Sequence, residues 1–259
     1  MALEAFWIPP ALAGLYVWWR IVQNIRPDQD GVVPSADYRL GDGVFASILA
    51  VYFSLGILAP DPGNKVVTTD LLITGTVMYS VLVLLVYSFL VLRRQDVRVL
   101  FGLGQLGWRT TFQPAIIGIV CIYPTVLLLT WLSRLALGEP DGNDETIKFL
   151  LGSPGPAALA LAGLLVIVVA PIAEEFIFRG LLYGVAKKFG GRIPALVATS
   201  VLFAAIHLNP VAMVPLFVLS VALTLAYERT GSLWTPVVMH MIFNGAQFLA
   251  ILLFPEWTQ

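Results

Sequence analysis

The sequence predicts an all-α protein, a polytopic transmembrane bundle of about eight spans. Three observations carry that prediction. Hydrophobic residues make up 58% of the 259 and charged residues only 12%, about half the share of a soluble domain. Mean hydropathy is +0.86. The charges also cluster, leaving apolar runs long enough to cross ~30 Å of hydrocarbon, which takes about 20 residues.

The runs lie near 5–25, 44–59, 71–92, 112–133, 153–188, 193–208, 211–227 and 234–254. The first lacks a basic flank, carries Glu4 and has Pro9-Pro10 early, so it does not read as a signal peptide. The second is the shortest. The fourth holds Cys121, the sole cysteine, which excludes an internal disulfide or a thiolate metal cluster. The sixth and seventh come from one stretch, Ile193–Tyr227, of 35 residues without a charge. As a single helix it would be about 52 Å long, too long for a bilayer. Asn209-Pro210 divides it, because proline lacks a donor and disfavours helix in the residue before it. The chain thus splits into an N-terminal part, 1–150, with four spans, and a C-terminal part, 151–259, with the other four.

Basic residues sort the loops. Arg20, Arg26, Arg39, Arg93, Arg94, Arg98, Arg109, Arg179, Lys187, Lys188, Arg192 and Arg229 fall on one side, 12 of the 15. Lys65, Arg134 and Lys148 fall on the other, with the acidic loop around Glu139, Asp141, Asp144 and Glu145. The positive-inside rule makes the first side cytoplasmic and places both termini outside. Trp18, Trp19, Trp108, Trp131 and Trp234 lie near span ends, as interfacial belts do. The expected setting is a bacterial or archaeal cell membrane, with the lipid bilayer as partner. A net charge of −1 argues against nucleic acid. Gly102-Leu103-Gly104-Gln105-Leu106-Gly107 matches a dinucleotide fingerprint in letters alone. No strand precedes it, so it reads as a loop at the membrane surface.

Ionisable groups inside apolar runs are costly and mark a working site by default. The two histidines, His207 and His240, are both in such runs, and so are Glu174, Glu175 and Arg179. Glu175 and Arg179 are four residues apart and face each other on a helix, which predicts a structural ion pair. Glu174 points about 100° away and keeps an uncommitted carboxylate. His240 and Asn244 share a face, where an ordinary hydrogen bond would satisfy both. Each histidine alone reads as an interhelical hydrogen bond; the coincidence of all these groups favours a site. Gly190-Gly191 marks the turn between the fifth and sixth runs. Glu174 lies 16 residues before Gly190 and His207 lies 17 after it, which predicts one common depth for both. His240 is only nine residues past Gly231, so an extended Ser232–Pro236 segment is expected to lift it.

A carboxylate near two imidazoles offers two chemistries. His207 and His240 could hold zinc while Glu174 deprotonates its water. Alternatively Glu174 and His207 activate water directly, with His240 and Asn244 donating to the oxyanion. Asn244 is a poor zinc ligand and a good donor, which favours the second. Both predict amide hydrolysis. A proton-coupled transporter would use the same groups as a relay, but the two halves show no inverted repeat.

The set Glu174-Glu175-xxx-Arg179, Phe203-xxx-His207 and His240-xxx-Asn244, in that order on successive helices, resembles the CPBP family. This is the group of CAAX prenyl endopeptidases and bacteriocin-processing (Abi) proteins. The resemblance covers about 150–259. It implies an intramembrane glutamate-type endopeptidase, commonly described as a metalloprotease, acting on membrane-embedded or lipidated peptides. It also admits a non-enzymatic immunity or regulatory protein. Glu174, His207, His240 and Asn244 would be catalytic, with Glu175, Arg179 and Phe203 in support.

Overall fold

A computed structural model describes residues 8–22, 31–35, 37–58, 67–138, 145–152 and 154–254. Glu4, Arg26, Lys65, Glu139, Asp141 and Asp144 lie outside the described residues. The rest form helices: α1 (Ile8–Val22), α2 (Leu40–Leu58), α3 (Thr69–Leu92), α4 (Val97–Leu100), α5 (Trp108–Leu137) and α6 (Glu145–Leu151). They continue with α7 (Pro156–Gly190), α8 (Arg192–Ala205), α9 (Pro210–Thr230) and α10 (Trp234–Leu253). The molecule is an all-α membrane bundle. Six of these helices, α2, α3, α5, α7, α9 and α10, are long and apolar enough to cross a membrane.

The expectation of eight spans is thus met only in part. Helix α8 has 14 residues, about 21 Å at 1.5 Å per residue, short of the hydrocarbon thickness. It ends early because the chain turns at His207 and Leu208, the latter at φ 53°. Asn209 then caps α9 by accepting from the Val211 and Ala212 amides at 3.1 Å each, and Pro210 opens the helix where no donor is needed. Helix α1 has 15 described residues.

Helix α3 shows how an apolar sequence selects a face. Its outward residues Val77, Val81, Leu84 and Leu85 are exposed. Leu72, Val86 and Leu90 are buried, and Gly75, Thr76, Tyr79, Leu82 and Val83 are partly covered on the same stripe. Apolar residues line both faces, so hydropathy alone could not tell them apart. Hydrocarbon supplies no hydrophobic drive between helices, and close packing takes over. At the α1–α5 crossing a Cβ on Gly14 would lie 2.0 Å from the Cys121 carbonyl oxygen.

The loop after α4 is a packed lid on the α9–α10 turn. A Cβ on Gly102, at φ 63°, would stand 1.8 Å from the Gly231 carbonyl oxygen. The Leu233 amide donates to the Phe101 carbonyl at 3.0 Å, and the Trp234 indole donates to the Leu103 carbonyl at 3.0 Å. Gly231, Ser232 and Leu233 are consequently buried. This covered turn corrects the expected extended segment: helix begins at Trp234, and His240 reaches the site from there.

Residues 31–35 and Tyr38 are strapped to α7 in the same way. The Tyr38 hydroxyl donates to the Gly180 carbonyl at 2.7 Å. Burial, with Tyr227 and Asp42 nearby, holds the Tyr38 phenol well above its usual range, so it remains a donor. Lys187, placed by sequence among the basic residues of the cytoplasmic side, is 2% exposed and donates to the Val33 carbonyl at 2.9 Å.

Candidate active site

The site forms where α7 changes its winding. Glu174 and Glu175 close an α-helical turn, and Phe176–Tyr183 continues as a π-helix. A second π segment spans Leu164–Val169. Such departures from i→i+4 bonding are frequent at functional sites. Every residue from Ala173 to Val185 is buried.

Glu175 and Arg179 pair as their spacing predicts, at 2.8 Å between Oε1 and a guanidinium nitrogen. The arginine is fixed on two further sides. Its other terminal nitrogen donates to the Ser220 hydroxyl at 2.8 Å and the Ser220 carbonyl at 3.2 Å, tying α7 to α9. Its guanidinium carbon stands 4.5 Å from the centre of the Phe203 ring, an attraction that strengthens where water is excluded. A buried charge paired this fully is stable, and removing one member leaves the other uncompensated.

Glu175 Oε1 also lies 2.8 Å from His240 Nδ1. An ionised carboxylate can only accept, so Nδ1 carries the proton and the ring is oriented by Glu175. His240 Nε2 then faces Glu174 Oε2 at 3.7 Å. The other Glu174 oxygen accepts a hydrogen bond from the Tyr79 hydroxyl of α3 at 2.8 Å. Glu174 therefore stands apart from Arg179, between one donor and one imidazole. His240 is 3% exposed and Glu174 9%.

The structure brings Glu174, Glu175, Arg179, Phe203 and His240 together. His207 is placed differently. It is exposed at the end of α8, its Nδ1 lies 2.7 Å from the Phe203 carbonyl, and its ring centre is 5.0 Å from that of Phe203. Phe203 also borders His240, at 5.9 Å between ring centres. The Asn244 amide donates to the Val166 carbonyl at 2.9 Å, not to His240.

Sequence reasoning missed Tyr79 and Ser220. Tyr79 carried little signal, being one of several hydroxyls along its run beside Thr74, Thr76, Ser80, Tyr87 and Ser88. A zinc centre finds no matching donor set: among the described residues no three His, Cys, Asp or Glu side chains are grouped to hold a metal ion. His240 Nδ1 is committed to Glu175 and one Glu174 oxygen to Tyr79.

Residues 156–246 match the family of type II CAAX prenyl endopeptidases, Rce1-like. Over this segment the chain is similar to the CAAX-protease family. The membrane-embedded CAAX protease MroQ of Staphylococcus aureus (strain USA300) is 34% identical over 96 residues. Those residues cover 34% of this chain and 38% of that protein, so the chain spans well under half the length of the curated relative it matches. No solved structure matches the chain. The matched segment holds α7, α8, α9 and the part of α10 that carries His240 and Asn244; it does not include Tyr79.

Proposed function

We propose that the protein is a glutamate-type intramembrane endopeptidase that cleaves lipidated or membrane-embedded peptides, prenylated CAAX sequences first among them. The observation that carries this reading is the 3.7 Å gap between Glu174 Oε2 and His240 Nε2 in a buried site. Both atoms are acceptors once Glu175 holds the Nδ1 proton. A gap of that length fits one water donating to each.

Glu174 then takes the water proton as oxygen attacks the scissile carbonyl carbon. The tetrahedral oxyanion needs donors, and the Asn244 amide carries a second hydrogen beside the one held by Val166. Collapse breaks the C–N bond, and the proton on Glu174 passes to the leaving amine. The imidazole assigned to water activation is thus His240 and no longer His207. An Nδ1–H tautomer makes Nε2 an acceptor, which suits holding water and not an oxyanion. His207 stands at the exposed rim, where it would meet the substrate. No step is routed through a metal.

The same reading keeps eight membrane-associated segments, with both termini outside the cytoplasm, on the strength of the basic bias. Reporter fusions after Arg98 and after Lys188 should both report cytoplasm, and an outside signal at either would overturn that orientation.

The decisive test uses purified protein in lipid vesicles with a fluorogenic farnesylated CAAX peptide and an unprenylated control. Cleavage of the prenylated peptide is expected, together with its loss in Glu174→Gln. Cleavage that persists at the wild-type rate in Glu174→Gln would sink the mechanism. No product from the folded wild-type protein on either peptide would sink the peptidase reading and favour a non-enzymatic role.

A further inference from the structure

Tyr79 lies on α3, outside the segment shared with the CAAX-protease family, yet its hydroxyl donates to Glu174 Oε1 at 2.8 Å. We infer that Tyr79 is a positioning residue for the proposed reaction, holding the Glu174 carboxylate so that its other oxygen faces His240. The inference rests on the peptidase reading.

Three observations support it. Tyr79 sits about halfway along α3 (Thr69–Leu92), at the depth where an unpaired hydroxyl is least tolerable. It belongs to the inward stripe of that helix, while Val77, Met78 and Val81 around it are exposed. And Glu174 has few other ties. Arg179 is occupied by Glu175 and Ser220, and the nearest His240 atom stands 3.7 Å away, beyond hydrogen-bond reach. Without the phenol the carboxylate would be free to rotate about its terminal bond, which is a broad, soft torsion.

The titratable or charged groups facing Glu174 are Tyr79 from α3, His240 from α10, and Glu175 and Arg179 from α7 itself. Tyr79 is the one that touches Glu174 directly, so removing its hydroxyl should change turnover and leave substrate binding as it is.

The test is Tyr79→Phe, which keeps the ring and its packing. Turnover on the farnesylated peptide should fall roughly 10-fold to 100-fold with KM little changed, as expected for losing a hydrogen bond to a charged group. A parallel readout needs no turnover: the infrared carboxylate stretch assigned to Glu174 by its loss in Glu174→Gln, whose frequency depends on the hydrogen bond it accepts. That frequency should shift in Tyr79→Phe. If KM rises with kcat unchanged, if the band does not shift, or if Tyr79→Phe behaves as wild type, the positioning role is overturned. A wild-type protein that cleaves nothing would overturn the peptidase reading instead, and the infrared band would still decide whether Tyr79 holds Glu174.

Discussion

Helices α7 and α9 each carry carboxylates inside the bundle, and the two sites are finished to different degrees. Glu228, at the end of α9, is 0% exposed and satisfied at both oxygens. Oε1 accepts from the Tyr183 hydroxyl and from Lys187 Nζ, and Oε2 accepts from the Val32 and Val33 amides at 3.0 and 3.4 Å. Glu175 is equally buried, but Oε1 takes both Arg179 and His240 while Oε2 has no partner. Glu174 has one hydrogen bond and one oxygen facing an imidazole across a gap. A polar network completed on every atom fixes a fold. One left incomplete at low dielectric keeps an unspent capacity for hydrogen bonding, which is what a reaction needs. By this comparison Glu228–Lys187–Tyr183 is a fastener for residues 31–35, and the α7 cluster is the candidate working site.

The largest effect expected from that contrast is on turnover. Glu174→Gln keeps the shape and removes the proposed base, so the rate on the farnesylated peptide should fall by roughly 10²–10⁴-fold while the folded yield stays at the wild-type level. Glu228→Gln should do the reverse: lower melting temperature, with the rate per folded molecule unchanged. Should Glu228→Gln lose turnover at full stability, the division into fastener and site would be wrong.

Arg179→Ala comes next. It strips a fully buried carboxylate of its charge partner, which costs about 3–5 kcal/mol. Thermal unfolding in detergent should show a large drop. The double variant Arg179→Ala with Glu175→Gln should recover part of it, because the uncompensated charge is then gone. No recovery would mean that the guanidinium acts mainly through Ser220 and the Phe203 face.

Asn244→Ala separates two roles that the structure leaves in one side chain. As an oxyanion donor it should contribute roughly 10²–10³-fold to kcat, with KM near wild type. As an anchor between α10 and Val166 alone it would contribute only about 1 kcal/mol to stability and leave kcat per folded molecule intact. The first outcome is expected.

What the sequence displayed follows from how local each feature is. The Glu175–Arg179 pair depends only on spacing along one helix. The break before Pro210 and the turn at Gly191 depend on residues whose backbone chemistry is nearly unconditional. The depth of His240 was not legible, because it depends on how far the α9–α10 turn sinks beneath the loop carrying Gly102, a contact between residues about 130 positions apart. Lys187 fell among the basic residues at span ends and Glu228 stood out in no way, since nothing local reveals that the 31–33 segment covers them. The common depth inferred for Glu174 and His207 assumed two regular helices. The π segments of α7 and the early end of α8 break that assumption. Tyr79 escaped because its partner sits on another helix.

The smallest effect tests whether the fastener is only a fastener. Gly31 has φ 77°, and a Cβ there would lie 1.8 Å from Glu228 Oε2. Gly31→Ala therefore meets both backbone strain and a carboxylate held by four groups, and the flexible end that could yield is the very oxygen binding the Val32 and Val33 amides. The expected outcome is loss of those two hydrogen bonds with Lys187 and Tyr183 still on Oε1, a destabilisation of about 1–3 kcal/mol. Turnover measured per folded molecule should be unchanged. Lys187 and Tyr183 lie on α7, the helix that also carries Glu174, so a shift of the strap could in principle reach the site through that helix. If Gly31→Ala changes kcat at equal folded fraction, the two networks are coupled and the strap is part of the machinery. If only the melting temperature moves, the saturated network is structural and the contrast between the two carboxylate sites holds.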